Sequence, residues 1–164
     1  MGVSCALLGS AGTGKTTLIR NLLDAVSARS KDPSRPVLMT AMTAVAAKRL
    51  HPVLGQTFHS ALAIRDGTES VETWLASLRA REDISVDVRE CAGLVIDEAS
   101  MMSAALLEKL DAVMRAVRAE PSKPFGGLSV LLVGDFHQLP PVATGTCTLV
   151  VALLVSLVLT CSSV

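Results

Sequence analysis

Tyrosine is missing from this 164-residue chain, and Phe58, Trp74, Phe125 and Phe136 are its only aromatic rings. So few rings offer few platforms for base stacking, which argues against a module dedicated to holding single strands. Neither sign of charge predominates, since Lys+Arg and Asp+Glu each number 15. Any contact with nucleic acid must then use a local basic patch rather than a global field. Cys5, Cys91, Cys147 and Cys161 form no CxxC pair and no metal-ligand spacing with the three histidines. They read as reduced thiols, acting as small hydrophobes in an intracellular protein. No signal peptide is expected, because a strand and a glycine-rich turn follow Met1 within a few residues. Nothing in the sequence distinguishes a nuclear from a mitochondrial address.

What the chain does have is apolar bulk: half its residues are hydrophobic and 18% are charged. That composition suits one folded domain with a buried core. Val3–Leu8 is a short apolar run ending at Gly9, as in a strand buried on both faces of a parallel sheet. Leu18, Ile19, Leu22, Leu23 and Val26 recur at helical spacing, which predicts a helix from Lys15 to about Ala28. A second strand is predicted at Val37–Thr40 and an alanine-rich helix at Thr43–Leu50, stopped by Pro52. Gly67 to Arg89 is polar and weakly periodic, predicting one helix near Val71–Arg81 and then a loop. Leu94–Ile96 and Ser129–Val133 complete four predicted strands. Between them Ser103 caps a helix with an apolar stripe of Leu106, Leu107, Leu110, Val113, Met114 and Val117. Strands alternating with helices predict an α/β fold with a mostly parallel sheet.

The composition changes after Pro141. From Val142 to Val164 there is no charged residue, and Leu149–Leu159 is almost continuously aliphatic. A membrane span needs roughly 20 apolar residues, more than this run has without its polar flanks. A buried strand or short core helix is the plainer reading; a membrane anchor is disfavoured, since no Lys or Arg follows to orient it.

Three segments carry chemistry. Gly9-Ser10-Ala11-Gly12-Thr13-Gly14-Lys15-Thr16 satisfies the phosphate-loop pattern G-x-x-x-x-G-K-[ST] in full, between a predicted strand and a predicted helix. Its glycines let backbone N–H groups turn inward toward phosphate oxygens, and the helix start adds a positive dipole end. Lys15 suits the β- and γ-phosphates of ATP, the Thr16 hydroxyl suits Mg²⁺, and Thr17 completes the nucleotide-binding set. Asp97 and Glu98 end the third apolar run, where acids are costly unless they hold something. Asp97 suits the metal's shell, and Glu98 suits the base that deprotonates an attacking water. Gln138, after the fourth strand, suits a sensor amide for the γ-phosphate, with a loop-stabilising amide as the even alternative. Asp135 fits either the metal shell or a tie to the loop backbone.

In this order the motifs resemble the first motor domain of superfamily 1 helicases of the Pif and RecD type. GSAGTGKT resembles motif I, LVIDEASMM motif II and VGDFHQLPPV motif III. Ala41–Ala47 is similar to motif Ia, and Gly55–Ser60 to the family's Thr-x-His-Ser segment. The resemblance spans about Val3 to Val142, leaving 143–164 as an apolar tail unlike the family. It implies a RecA-like P-loop NTPase fold, a three-layer sandwich, present here as a single incomplete motor domain. It further implies ATP binding and hydrolysis coupled to 5′-to-3′ unwinding of DNA, in repair, recombination and telomere maintenance. By the same resemblance Thr43, Thr57 and His59 are DNA-side candidates, with Lys48 and Arg49 near phosphates.

Departures from the family pattern bear on activity. Met42 and Ala44 replace the Pro and Gly usual in motif Ia, and the adenine-recognising glutamine segment before motif I is not in the chain. The family's second motor domain has no counterpart among these 164 residues, so its γ-phosphate arginine, worth roughly 10³–10⁵ in rate, is not expected from them either. The chain by itself is therefore expected to bind Mg·ATP, hydrolyse it poorly and not unwind DNA, with single-stranded DNA as a weak partner. A non-catalytic nucleotide-binding or regulatory fragment is the alternative. A different phosphate-loop class, a GTPase or a small-molecule kinase, ranks last: no Asn-Lys-x-Asp segment is present, and the Asp97-Glu98 pair favours water attack over phosphoryl transfer to a substrate hydroxyl.

Overall fold

Among the described residues five short strands, four of them carrying Val, Leu or Ile, pair side by side in one sheet, and every pairing is parallel. They are β1 (Cys5–Leu8), β2 (Val37–Ala41), β3 (Gln56–Thr57), β4 (Gly93–Asp97) and β5 (Ser129–Gly134), in the order β1-β5-β4-β2-β3. The structure is a computed structural model and describes residues 2, 4–10, 12–29 and 35–135. Ala11, Gln138 and the tail 143–164 with its Leu149–Leu159 run lie outside the described residues.

Alternation along the central strands builds a core on each face of the sheet. Leu94, Ile96, Val130 and Leu132 point to one side, where they join Phe58, Leu62, Trp74, Leu78, Val88, Leu107, Leu110 and Met114. These belong to or border α3 (Phe58–Ala61), α4 (Val71–Arg79), α5 (Glu82–Glu90) and α6 (Ala104–Val117). Val95 and Val133 point to the other side, against Ile19 of α1 (Lys15–Arg29) and Leu50 of α2 (Ala44–Leu50). Helices on both faces of a parallel sheet make three layers. Trp74 is fully buried, and its indole N–H donates to the carbonyl of Leu62 at 2.7 Å, so the ring adds apolar area without stranding its donor. No helix among the described residues is long and apolar enough to cross a membrane.

Local chemistry accounts for most boundaries. Ser103 caps α6, accepting from the Leu106 N–H at 3.2 Å, and the predicted stripe is buried from Leu106 to Met114. Thr43 lies outside α2 as its cap, where the sequence predicted its first residue, because its extended backbone lets the hydroxyl accept from Ala46 N–H.

Some expectations fail. Three of the four residues of β1 are exposed, Leu8 at 53%, so this strand is not buried on both faces as expected. Among the described residues it lies at the end of the sheet, paired with β5. Among the described side chains of α1 Ile19 is buried and Leu23 packs beside it, while Leu18, Leu22 and Val26 are exposed, so the stripe meets the core along one edge. The loop predicted after α4 is a second helix, α5. Its Ile84 and Val88 pack on the core from i and i+4, a stripe too narrow to register as periodicity. Glu82 and Asp83 in its first turn suit the helix dipole and were the available signal. The two-residue β3 was missed because so short a strand carries no pattern.

Candidate active site

Because all five strands run the same way, their carboxyl ends share one edge, the place where open α/β sheets bind ligands. A cleft of about 450 Å³ opens there. Gly12, Gly14, Lys15, Thr16 and Thr17 line it from the phosphate loop and the start of α1; Asp97, Glu98, Ser100 and Met101 line it from the end of β4. Gly134 and Asp135 close it behind β5. Sequence positions more than a hundred residues apart thus converge on one cavity.

The phosphate loop is shaped by its glycines. Gly12 and Gly14 sit at φ +78° and +82°, in the left-handed region, and a Cβ at either would meet nothing within 4 Å. Backbone sign, not crowding, is what demands glycine there. Thr13 folds back to donate to the Ser10 carbonyl at 2.8 Å, and Leu18 N–H reaches the Gly14 carbonyl at 3.0 Å as α1 begins. Gly9 N–H bonds the Gly134 carbonyl at 3.3 Å, which docks the loop's base onto β5. Lys15 donates to the carbonyls of Gly9 at 2.5 Å and Ser10 at 2.7 Å, holding its ammonium across the loop.

Asp97 is buried at the end of β4, and Glu98 follows in the left-handed conformation, φ 56° and ψ 34°. Such a backbone costs a residue with a side chain about 1–3 kcal/mol and persists only where its surroundings impose it. Here the Glu98 N–H donates to Asp97 Oδ1 at 2.9 Å, and its carbonyl accepts from Met101 N–H at 3.0 Å. Burial pushes the Asp97 carboxyl above its ordinary value, and the charge of Glu98 adds to this. The Glu98 N–H and the Lys15 ammonium pull the other way. A buried carboxylate of this kind, in the cleft that Lys15 and Thr16 also line, is a hard oxygen donor suited to a divalent cation that keeps waters and phosphate oxygens as its other ligands.

The three strand-side candidates all lie near this edge of the sheet but differ in what they touch. Thr43 directs its hydroxyl at Glu98 Oε2, 2.7 Å away. Thr57 caps α3 by accepting from Ser60 N–H, and the half-buried His59 stacks edge-on against Phe58. Arg49, read from the sequence as a DNA-phosphate neighbour, lines the cleft with Lys15, Thr16 and Asp97, together with Ala46. Its backbone carbonyl and that of Leu50 receive the Arg20 guanidinium, which ties α1 to α2. Ser100, Met101 and Arg49 were not foreseen as cleft residues, although Ser100 and Met101 fall within the motif II-like segment. Gln138 lies outside the described residues.

With this geometry in view, comparison with known proteins is specific. The family model described as PIF1-like helicase matches residues 2–158. The chain belongs to the PIF1-like helicase family. It is 40% identical over 145 residues to the ATP-dependent DNA helicase PIF1 of Homo sapiens, covering 88% of this chain and 21% of that protein. Among solved structures it resembles the Pif1 helicase from Candida albicans, at 37% identity and a TM-score of 0.78, covering 87% of this chain and 31% of the other. It also resembles Pif1 helicase from Bacteroides in complex with ADP-AlF3 and ssDNA, at 27% identity and a TM-score of 0.60, covering 92% and 32%. The chain therefore spans about a fifth of the length of the human relative. Its fold is the RecA-like P-loop arrangement of the PIF1-like family, of which the described residues form part.

Proposed function

We propose that this chain is motor-domain sequence of an ATP-dependent 5′-to-3′ DNA helicase and that its cleft binds Mg·ATP. The observation that carries this reading is the convergence of Lys15, Thr16, Asp97 and Glu98 on one cavity at the carboxyl edge of the sheet. Residues 9–17 cradle the phosphates, with Lys15 exchanging its loop carbonyls for β- and γ-phosphate oxygens. Thr16 and Asp97 would hold Mg²⁺, which supplies charge neutralisation on the phosphates when bound. Glu98 takes the proton of the attacking water, and Gln138 senses the γ-phosphate. Single-stranded DNA is the proposed polymer partner, with Thr57 and His59 on its side of the domain; a relative's structure holds ADP-AlF3 and ssDNA together, which supports both ligands. We assign residues 1–142 to the motor domain and treat 143–164 as an apolar tail, into which the family match runs as far as residue 158. The roles in repair, recombination and telomere maintenance follow the same proposal.

Titrating the purified chain with a fluorescent ATP analogue, with and without Mg²⁺, tests the core of the reading. Wild type is expected to bind, more tightly with Mg²⁺, and Lys15→Ala is expected not to. Equal binding by both proteins would remove the site assignment. Adding a single-stranded oligonucleotide tests the partner separately.

A further inference from the structure

We infer that Thr43 is a positioning residue for Glu98, an assignment that rests on the hydrolytic reading above. The hydroxyl of Thr43 carries one proton and two acceptor positions. It accepts the Ala46 N–H at 3.2 Å, as the cap of α2. Its single proton is left for Glu98 Oε2, 2.7 Å away. Capping requires only an acceptor, which Asp or Asn would supply equally well. Donation to a carboxylate is a separate property, and a hydroxyl combines the two in one short side chain.

Glu98 is held from two strands. The end of β4 sets its backbone, through the bonds to Asp97 Oδ1 and Met101 N–H. The end of β2 sets its carboxylate, through Thr43, and Met42 N–H donating to the Asp97 carbonyl at 3.0 Å keeps the two strand ends in register. The flexible Glu98 side chain is thereby fixed by one oxygen, while Oε1 accepts no hydrogen bond among the described residues and stays available for a water. A base must be placed to a fraction of an ångström to act in the transition state, and a second residue that locks its rotamer is how such placement is achieved.

The test separates nucleotide binding from recognition of the transition state. Mg²⁺ and ADP, and Mg²⁺ and ADP with aluminium fluoride, are titrated into wild type, Thr43→Ser, Thr43→Asp and Thr43→Ala, with melting temperatures recorded alongside. Thr43→Ser is expected to match wild type within about twofold for both ligands, since it keeps acceptor and donor. Thr43→Asp and Thr43→Ala are expected to hold ADP normally and to lose about tenfold on the aluminium fluoride complex. Thr43→Asp keeps the cap, so its loss at an unchanged melting temperature is assigned to Glu98. The positioning role is overturned if Thr43→Asp behaves as wild type, or if Thr43→Ala weakens both ligands equally. Wild type that binds ADP but forms no aluminium fluoride complex overturns this role and leaves the nucleotide site standing; wild type that binds neither overturns both.

Discussion

The ammonium of Lys15 lies 2.5 Å from the carbonyl oxygen of Gly9, at the foot of the loop whose N–H groups are proposed to bind phosphate. A loop carbonyl is a neutral acceptor, and a phosphate oxygen is a charged one that makes the stronger bond. Lys15→Ala is expected to weaken ATP-analogue binding by at least about a hundredfold, since it removes both the charge and the donor. Lys15→Arg is expected not to rescue it, because the planar guanidinium cannot replace a compact ammonium in a tight turn. Fluorescence titration of the three proteins decides both points.

Glu98→Gln separates binding from chemistry. The amide carbonyl can still accept from Thr43, so nucleotide affinity is expected to stay within about twofold of wild type. Hydrolysis, followed by phosphate release under single-turnover conditions, is expected to fall by about 10²–10⁴, the range that a lost general base costs. A variant that hydrolyses as fast as wild type would exclude Glu98 as the base.

The loop before α4 has an acid dependence of its own. Burial pushes the Glu69 carboxyl up, as does neighbouring Asp66, but the N–H of Arg65 at 2.9 Å, its own N–H and that of Gly67 at 2.9 Å together outweigh them and hold the group below its ordinary value. A depressed carboxylate adds stability above its unfolded value and loses it as pH falls through the folded one. Thermal unfolding of wild type should therefore weaken on acidification below the usual carboxylate range, and Glu69→Gln should show a shallower decline. An identical pH profile in the two proteins would show that Glu69 adds nothing.

Lys109 holds the same loop from α6, donating to the carbonyls of Gly67, Thr68 and Glu69 at 3.1, 3.1 and 2.8 Å. Lys109→Met keeps the aliphatic stem and removes all three donors. It is expected to cost about 2 kcal/mol in denaturant unfolding. A change below about 0.5 kcal/mol would mean that water replaces the ammonium without penalty.

Cys91 should be inert in the folded protein. Burial pushes its thiol up to about 11, with smaller opposing pulls from Arg118 and Arg35, and its Sγ donates to the Val88 carbonyl. Peptide mapping after alkylation at pH 8 is expected to find the Cys91 peptide unlabelled in native protein and labelled in denaturant. The exposed Cys5 is expected to react natively and so serves as the internal control. Native labelling of Cys91 at the rate of Cys5 would show that the core opens readily.

Much of the site was legible because its chemistry is local. The phosphate-loop pattern puts its glycines, lysine and threonine in one short run, so the proposed loop at Gly9 to Thr16 can be read without any fold. Asp97 and Glu98 are adjacent for the same reason, and the Ser103 cap lies three residues before the Leu106 N–H it accepts. The parallel sheet followed from strands separated by helical stretches. Residues 82–90 escaped because only Ile84 and Val88 face the core, and helix formation there depends on tertiary packing rather than on pattern.

The sequence by itself determined the phosphate loop, the acidic pair and the α/β class, since each is written in neighbouring residues or in regular spacing. Only the tertiary structure decided that Thr43 bonds Glu98 across 55 residues, that Arg49 lines the cleft with Lys15 and Asp97, and that β1 is largely exposed. Those relations depend on which strands lie side by side, and the order β1-β5-β4-β2-β3 is settled by how the helices cover the sheet, not by any stretch of chain read alone.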